Sequence, residues 1–257
     1  MSVLSRFSLK DQHAVITGGY RGIGLAIARA FAEAGASLTL TARNTEGLDA
    51  AVATLRDQGH DVDAALMDMR DPSSIEAAAD GIIGRRRQVH VLVNNAGIVR
   101  RAGILDVSLK DWQEVMDTNL TGLFLASQAF GRHMVAMGGG SIVNIGSNSA
   151  IIVDRPQTHG SYNVSKAAMH MLSKIMAAEL APHGVRVNVV APGYTVTEMT
   201  RPAIEAAADA KEWQRQTPLA RFADADEIAP AALYLASAAS SFVTGEVVVV
   251  DGGYTLW

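Results

Sequence analysis

The sequence predicts an α/β fold: a doubly wound parallel sheet in a single domain that spans residues 1–257. Short segments rich in valine, isoleucine and leucine recur along the chain, and stretches of helical length separate them. Most of these segments are continuously apolar and do not alternate, which is typical of strands buried on both faces of a parallel sheet. Repeated strand–helix–strand units with right-handed crossovers build such a sheet.

Seven segments are predicted to be strands. They are residues 14–16, 38–41, 62–67, 89–93, 141–145, 185–190 and 247–250. The stretches predicted to be helices are rich in alanine. They are residues 25–35, 75–87, 108–136 and 160–182. Gly35 and Gly184 lie where two of these helices are expected to stop. The stretch 194–222 is less regular, and we expect it to leave the sheet as a candidate substrate lid.

The composition excludes several classes of protein. The net charge of -4 argues against an electrostatic nucleic-acid binder, and the absence of cysteine excludes disulfides and cysteine–zinc sites. The chain has no signal-peptide core and no apolar run of about 18 residues, so a cytoplasmic protein without a membrane segment is expected. The seven histidines form no spaced ligand cluster, so no metal is expected, although a weak cation site at the C-terminal carboxylate stays open.

The first predicted strand leads into a glycine-rich turn, TGGYRGIG at residues 17–24, and then into a helix. Free backbone N–H groups at a helix N-terminus attract a phosphate, and glycines allow the backbone to approach it. Gly18, Gly22 and Gly24 are spaced G-x-x-x-G-x-G, which differs from the common G-x-G-x-x-G fingerprint. The turn predicts a Rossmann-type nucleotide site, with a plain strand–helix turn as the alternative.

The stretch 141–168 places serines, a tyrosine and a lysine after the fifth predicted strand. Tyr162 and Lys166 are four residues apart in a segment of helical composition, so they share one helix face. A free tyrosine has a pKa of about 10, and a nearby ammonium lowers that pKa by favouring the phenolate. Ser147 and Ser149 offer hydroxyls that can hold a substrate oxygen beside the tyrosine. Such a Tyr-x-x-x-Lys pair is incidental on most helices, and it indicates a catalytic site only in combination with the glycine turn.

From about residue 8 to its C-terminus, the chain resembles the short-chain dehydrogenase/reductase family. The motifs that carry the resemblance are TGGYRGIG (17–24), NNAG (94–97), TNLTG with its Asn119, the serine after SIVNIG, YNVSK (162–166) and APG with the threonines after it (191–197). The resemblance implies hydride transfer between a nicotinamide cofactor and an alcohol or carbonyl carbon. It implies that Tyr162 is the acid and base and that Lys166 lowers its pKa and holds the nicotinamide ribose. Asn119 is implied in a proton relay through water and the lysine, with a backbone-binding amide as the alternative.

The resemblance also implies a set of cofactor-binding residues. They are Gly18, Tyr20, Arg21, Gly22, Ile23, Gly24, Arg43, Asn44, Asp68, Met69, Asn95, Ala96, Gly97, Tyr162, Lys166, Pro192, Gly193, Thr195 and Thr197. Asn95 is expected to brace the sheet as well. Asp68 is expected to meet the adenine, with a solvated turn acid as the alternative, and the two threonines to reach the carboxamide side of the nicotinamide.

Two serines compete for the catalytic position that the family implies. Ser149 has the spacing of 13 residues before Tyr162 that is frequent in the family, whereas Ser147 lies 15 residues before it. Ser147 keeps the family's place directly after the strand, three residues beyond Asn144. Because position relative to the strand fixes the geometry, Ser147 is predicted to be the catalytic serine and Ser149 a substrate contact.

Arg43 follows the second predicted strand, about 20 residues after the glycine turn. Family members that prefer NAD often carry an acid at the position of Ala42, where it binds the ribose 2′-OH. An arginine instead grips a 2′-phosphate through paired charge-assisted bonds, and Arg21 is a second cation for it. NADP(H) is therefore expected to be favoured and NAD(H) possible. The alternative is a solvated Arg43 in an NAD-linked or dual enzyme.

The loop after the serines, IIVDRPQTH, is rich in polar groups. Similar relatives that act on sugars and polyols carry a comparable loop and an aromatic C-terminus. A polyol or keto-sugar is therefore the substrate hypothesis, with Ser149, Asp154 and His159 as contacts and surface loop residues as the alternative. The predicted helices 108–136 and 160–182 match family helices that pack across subunits, so a homotetramer is expected.

Rival functions lack their own signatures. No G-x-S-x-G elbow of a serine hydrolase occurs. A nucleotide-binding methyltransferase usually has an acid after its second strand, where this chain has Ala42 and Arg43. A non-catalytic NADP(H)-binding redox sensor tends to lose the tyrosine or the lysine, and both are present. The sequence therefore predicts an enzyme.

Overall fold

The computed structural model describes residues 2–201, 204 and 208–257, and its centre is a seven-stranded parallel sheet. The strands of this sheet are β1 (His13–Thr17), β2 (Ser37–Ala42), β3 (Val62–Leu66), β4 (Val91–Asn94), β5 (Gly140–Ile145), β6 (Val185–Pro192) and β9 (Val247–Val250). They lie in the order β3-β2-β1-β4-β5-β6-β9. A separate small sheet pairs β7 (Thr195–Val196) with β8 (Ala223–Asp224). All seven predicted strands are present, which confirms the doubly wound parallel fold.

Helices connect the strands. They are α1 (Gly22–Glu33), α2 (Leu48–Asp57), α3 (Pro72–Arg86), α4 (Leu109–Met116), α5 (Gly122–Met137), α6 (Gly160–Leu180), α7 (Ala208–Gln216) and α8 (Ala229–Ala236). The stretch 108–136, predicted as one helix, is divided by a π-helical turn at Asp117–Thr121. Three short helices, α2, α7 and α8, were not predicted. No helix among the described residues is long and apolar enough to cross a membrane.

Both faces of the sheet are covered by helices. In β1, Ala14 and Ile16 pack in the core of one face together with Phe31 of α1. Val15 points the opposite way and packs in the core of the other face together with Phe130 of α5. Because each strand is buried on both sides, continuous apolar runs rather than alternating ones suit the sheet.

The strand order reverses at β1, which pairs with β2 on one side and with β4 on the other. Ile16 of β1 is in register with Leu40 of β2 and with Val93 of β4. In open parallel sheets, ligands bind outside the carboxyl ends of the strands at such a reversal. The turn after β1 and the loop after β4 therefore face each other where a ligand is expected.

A ladder of buried amides ties the central strands to the helices behind them. Asn94 Nδ2 donates to Asn144 Oδ1 and to Ser127 Oγ, both at 2.8 Å. Asn144 Nδ2 in turn donates to Ser173 Oγ at 2.8 Å. A buried polar group that loses its partner costs about 1–3 kcal/mol, so the ladder holds β4 and β5 in position against α5 and α6.

The contact between α5 and the end of β3 gives a test of this packing. A Cβ at Gly122 would overlap the carbonyl oxygen of Met69, a backbone atom that cannot rotate away. We expect Gly122→Ala to lower the free energy of unfolding by about 2 kcal/mol or more. In the same helix a Cβ at Gly131 would make an ordinary 3.8 Å contact with Leu180. We therefore expect Gly131→Ala to be neutral or to stabilise by up to about 1 kcal/mol.

Chemical denaturation of the two variants and of the parent measures these differences. If the two substitutions lowered the free energy of unfolding equally, the close approach of α5 to the backbone after β3 would be contradicted.

Candidate active site

A cavity of about 480 Å³ opens at the carboxyl edge of the sheet. The residues that follow six of the strands line it: Gly18 after β1, Arg43 after β2, Met67 after β3, Asn95 after β4, Gly146 after β5 and Gly193 after β6. Parallel strands bring these positions together although they are far apart in sequence. β1 and β4 lie between β2 and β5, which places the ends of β2 and β5 roughly 14 Å apart.

The turn between β1 and α1 is fixed by the loop after β4. Gly18 has a φ of 63°, a left-handed conformation that favours glycine. Asn95 Nδ2 donates to the carbonyl oxygens of Thr17 and Gly18, both at 3.0 Å. A Cβ at Gly24 would crowd the Asn95 amide, so the first turn of α1 packs directly on this brace. The N-terminus of α1 is thereby held facing the cavity.

Two exposed arginines line the cavity beside β1 and β2. The Arg21 guanidinium lies 5.2 Å from the centre of the Tyr20 ring. Neither Arg21 nor Arg43 forms a salt bridge with a carboxylate among the described residues. Their N–H groups are therefore available to an anion in the cavity.

Asp68, after β3, lines the same part of the cavity but is paired with an arginine. Its Oδ2 lies 3.0 Å from Arg70 Nη2. The hydrogen bond from Arg70 lowers the pKa of Asp68 from its ordinary value, against the effect of burial. Asp68 is thus an ion-paired acid in the cavity wall, and its contact with an adenine stays a prediction.

Tyr162 and Lys166 reach the cavity from one face of α6, as their spacing predicts. Lys166 Nζ lies 5.6 Å from the centre of the Tyr162 ring and donates to the Ile145 carbonyl oxygen at 2.7 Å. Burial lowers the pKa of Lys166 to about 8. Burial also raises the pKa of Tyr162 to about 12, although a hydrogen bond with Ser147 opposes the rise.

The expected fall in the pKa of Tyr162 beside Lys166 is therefore not found in this structure. Removal of the phenol from water disfavours the phenolate, and that effect dominates here. The Lys166 ammonium donates its hydrogen bond to the Ile145 carbonyl oxygen and not to the phenol oxygen.

The two candidate serines face different partners. The hydroxyl of Ser147 donates to the hydroxyl of Ser149 at 3.0 Å and accepts from the Ser149 N–H at 3.1 Å. The Ser149 carbonyl oxygen accepts from Asn163 Nδ2 at 2.8 Å, and the same Nδ2 donates to Asp154 Oδ2 at 3.1 Å. Both serines line the cavity. Ser147 follows Gly146 at the end of β5, and the choice of Ser147 over Ser149 as the catalytic serine stays a prediction.

Asn119 lies in the π-helical turn between α4 and α5. Its Oδ1 accepts from the Ile98 N–H at 2.8 Å, and its Nδ2 donates to the Ile98 carbonyl at 2.9 Å. Nδ2 also lies 3.1 Å from Ser165 Oγ. The amide thus binds backbone, which is the alternative interpretation, and a role in a proton relay stays a prediction. Single π-turns inside helices are frequent at functional sites.

Two aromatic side chains line the cavity beyond β6. Tyr194 stacks on Trp213, with ring centroids 4.6 Å apart and 10° between the planes. Gln157 joins the two: its Nε2 donates to the Tyr194 oxygen at 2.5 Å, and its Oε1 accepts from Trp213 Nε1 at 2.6 Å. The Arg101 guanidinium lies 5.5 Å from the centre of the Trp213 ring. The sequence did not indicate Tyr194, Trp213 or Arg101, because no spacing connects them.

Asp154 lies outside the lining of the cavity, and its direct contact with a substrate stays a prediction. Its side chain is 2% exposed, and its Oδ2 lies 2.9 Å from His159 Nε2 and 3.1 Å from Asn163 Nδ2. Burial alone would raise the pKa of Asp154, but hydrogen bonds from His159, Ser149 and Asn163 outweigh it and lower the pKa. The loop turns the carboxylate inward, toward these donors, and His159 faces the cavity in its place.

Most of the predicted site residues line the cavity. They are Gly18, Tyr20, Arg21, Gly22, Ile23, Arg43, Asn44, Asp68, Met69, Asn95, Ala96, Gly97, Ser147, Ser149, His159, Tyr162, Lys166, Pro192, Gly193, Thr195 and Thr197. Gly24, Asn119 and Asp154 lie outside its lining. Residues 202, 203 and 205–207 of the candidate lid lie outside the described residues, and its movement stays a prediction. In the described part of the chain, no three histidine, aspartate or glutamate side chains group as metal ligands.

Comparison with known proteins identifies the family. The family model described as enoyl-(acyl carrier protein) reductase matches residues 18–255. The galactitol 2-dehydrogenase of Rhizobium johnstonii is 45% identical to this chain over 260 residues, with 100% of both chains covered. The chain belongs to the short-chain dehydrogenase/reductase family. The resemblance predicted from the motifs is thereby confirmed, and this family member is an oxidoreductase of the short-chain alcohol dehydrogenase type.

Two further relatives of this short-chain dehydrogenase/reductase cover nearly the whole chain. The L-tagatose-forming galactitol 2-dehydrogenase of Cereibacter sphaeroides is 47% identical over 252 residues, with 98% of each chain covered. The crystal structure of a gluconate 5-dehydrogenase from Burkholderia cenocepacia, in complex with NADP and tartrate, is 41% identical. It superposes with a TM-score of 0.95 and covers 100% of both chains.

The buried lysine gives a test of the electrostatics at this site. Folding lowers the pKa of Lys166 from 10.5 to about 8. Below pH 8 the folded chain therefore buries a charged ammonium, and this lowers its free energy of unfolding. That cost is full below pH 8 and disappears as the pH rises past 10.5. The free energy of unfolding of the parent should therefore rise, relative to that of Lys166→Met, by up to about 3 kcal/mol as the pH increases from 7 to above 10.5.

Chemical denaturation of the parent and of Lys166→Met, at neutral pH and at pH values up to the alkaline limit, measures this change. The lost hydrogen bond to Ile145 shifts the difference by a constant and does not alter its slope with pH. A difference that does not vary with pH would show that the folded chain does not perturb the lysine.

Proposed function

We propose that this short-chain dehydrogenase/reductase moves a hydride between NADP(H) and a secondary alcohol or ketone group of a polyol or keto-sugar. The observation that supports this most is one cavity that brings two sets of residues together. Arg21 and Arg43, which have no carboxylate partner among the described residues, lie after β1 and β2, and Ser147, Tyr162 and Lys166 lie near the end of β5. The roughly 14 Å between the ends of β2 and β5 suits an extended dinucleotide. Its adenosine end would lie at the arginines and its nicotinamide at the tyrosine.

Tyr162 is the acid and base in this proposal. The nicotinamide, when bound, supplies the hydride acceptor or donor. Tyr162 takes the proton of the substrate hydroxyl in oxidation and returns a proton to the carbonyl oxygen in reduction. Ser147 holds the same oxygen through its hydroxyl. A phenol with a pKa of about 12 is a weak source of phenolate near neutral pH, so the loaded enzyme needs positive charge beside it. Lys166 is the cation within reach of the phenol.

The arginines support NADP(H) over NAD(H). A 2′-phosphate needs cationic donors, and Arg21 and Arg43 line the cavity without carboxylate partners among the described residues. Ala42, at the end of β2, has no carboxylate to accept bonds from an unmodified ribose or to repel a phosphate. The NADP bound by the related gluconate 5-dehydrogenase supports the same choice.

The far wall of the cavity supports a polyhydroxylated substrate. Ser149, Gln157 and His159 line it together with the aromatic pair Tyr194 and Trp213. Polar groups of this kind pair with hydroxyls, and aromatic faces pack against the C–H faces of a carbon chain. Relatives that act on galactitol and gluconate support this substrate class.

The homotetramer and the cytoplasmic location stay predictions from the sequence. Exposed apolar side chains on α5 and α6 support the assembly of several copies. They include Phe124, Val164, Met171 and Ile175. Apolar groups of this kind gain free energy when a second chain removes them from water.

Removal of the Arg43 guanidinium tests the phosphate site. We expect Arg43→Ala to weaken NADPH binding about tenfold or more, since a charged hydrogen bond contributes roughly 1.5–3 kcal/mol. NADH, which has no 2′-phosphate, should be affected far less. Fluorescence titration with both cofactors at low and moderate salt measures this, with Arg132→Ala, an exposed arginine outside the cavity, as the control. A parent that binds NADH as tightly as NADPH would refute the assignment of NADP(H).

Removal of the phenol hydroxyl tests the acid–base role. Tyr162→Phe keeps the ring in place but leaves no group to exchange the proton, so we expect turnover to fall by roughly 10²- to 10⁴-fold. NADPH binding should persist, because the arginines and the glycine turn are unchanged. Steady-state kinetics and the fluorescence titration separate the two effects, with Tyr234→Phe on α8 as the control. Turnover close to that of the parent would mean that another group moves the proton.

A further inference from the structure

His159 lies against the reacting tyrosine in the cavity. The rings of His159 and Tyr162 meet edge to face, with centroids 5.5 Å apart and 77° between their planes. The His159 carbonyl oxygen accepts from the Tyr162 N–H at 2.9 Å, so the start of α6 fixes the two residues relative to each other. The His159 side chain is 10% exposed, and it lines the cavity.

Asp154 lies behind His159 and determines which ring nitrogen carries the proton. Its Oδ2 is 2.9 Å from His159 Nε2. An ionised carboxylate only accepts hydrogen bonds, so Nε2 is the donor in the neutral ring as well as in the charged one. Asn163 holds the carboxylate from another side, and its Nδ2 also donates to the Ser149 carbonyl at 2.8 Å. The carboxylate is thus locked in place behind the cavity wall.

The other ring nitrogen is Nδ1. It has no hydrogen-bond partner among the described residues. Nor is it one of the fully buried side-chain atoms that lack a partner. Nδ1 is therefore accessible, and the ring to which it belongs lines the cavity. In the neutral ring with Nε2 protonated, Nδ1 presents a lone pair to a hydroxyl.

We propose that His159 binds the hydroxyl group on the carbon next to the reacting carbon, and that Asp154 is a positioning residue that fixes the ring for this contact. The inference rests on the proposed function, because it takes Tyr162 to bind the reacting oxygen. The two side chains are in contact, so the oxygens that they bind belong to neighbouring carbons of one substrate. A site built to bind a hydroxyl rejects an analogue without it, because the polar group is then left unpaired. The enzyme therefore selects vicinal diols and α-hydroxyketones over alcohols with a single hydroxyl.

A pair of substrates that differ in one hydroxyl tests this. Butane-2,3-diol and butan-2-ol are compared by kcat/KM with NADP⁺, and the parent should prefer the diol by about tenfold or more. His159→Phe keeps an aromatic ring but removes the acceptor, so the preference should fall by about tenfold. His159→Gln retains an acceptor and should keep part of the preference. His183→Phe, an exposed histidine outside the cavity, is the matched control and should keep all of it.

A double-mutant cycle tests the role of Asp154. Asp154→Asn alone should reduce the preference, mainly through a higher KM for the diol. In the His159→Phe background it should change the preference no further, because Asp154 acts only through the histidine. A merely structural role would lower kcat/KM for both substrates alike, and melting temperature and NADPH affinity of each variant identify that case.

The outcomes distinguish this inference from the function on which it rests. If the parent oxidises both alcohols equally well, or if His159→Phe keeps the parent's preference, the inference is wrong and the proposed function stands. If Asp154→Asn and His159→Phe reduced the preference for the diol additively, Asp154 would not act through His159 and would not be a positioning residue. If the parent binds NADPH but oxidises neither alcohol and no polyol, the proposed function fails and the inference with it.

Discussion

The common direction of the seven strands is the constraint on which the rest of this structure depends. Parallel strands end at one edge, so groups distributed over most of the chain line one cavity. That arrangement requires helices on both faces, and the apolar strands supply the buried surface that holds those helices. The amide ladder from Asn94 through Asn144 to Ser173 then fixes the two strands nearest the chemistry. A shift of register between β4 and β5 would break this ladder and move Ser147 away from Tyr162.

Burial at this edge also determines the charge of the reacting groups. It raises the pKa of Tyr162 to about 12 and lowers the pKa of Lys166 to about 8, so both shifts favour neutral side chains. Positive charge brought close to the phenol opposes the first shift and makes proton transfer easier. A positively charged cofactor bound beside Tyr162 would therefore lower the pKa of the phenol. The negative charge of Asp154 lies behind His159, which separates it from the reacting groups.

Much of the fold could be predicted from the sequence because its signals are local. Apolar runs indicated all seven strands, and the motifs from TGGYRGIG to YNVSK indicated which strand ends carry the site. The helix α2 was missed although Leu48, Val52 and Leu55 have helical spacing, because the segment is short and lies next to charged residues. The π-helical turn at Asp117–Thr121 was missed because nothing in its composition differs from an α-helix.

The parts of the site that escaped prediction depend on contacts between distant segments. The sequence shows that Asp154 and His159 are near each other, but not that the first is buried and the second faces the cavity. Tyr194 and Trp213 stack although they are far apart in sequence, and no local pattern connects them. The pKa of Tyr162 depends on how much water the completed fold excludes, and the spacing to Lys166 carries no information on that.

The most direct measurement is a crystal structure of the protein with NADP⁺ and a polyol such as galactitol. We expect the 2′-phosphate between Arg21 and Arg43, the nicotinamide beside Lys166, and one substrate hydroxyl on Tyr162 with its neighbour on Nδ1 of His159. A 2′-phosphate that points into solvent away from both arginines, or a polyol bound without contact to Tyr162, would contradict this expectation.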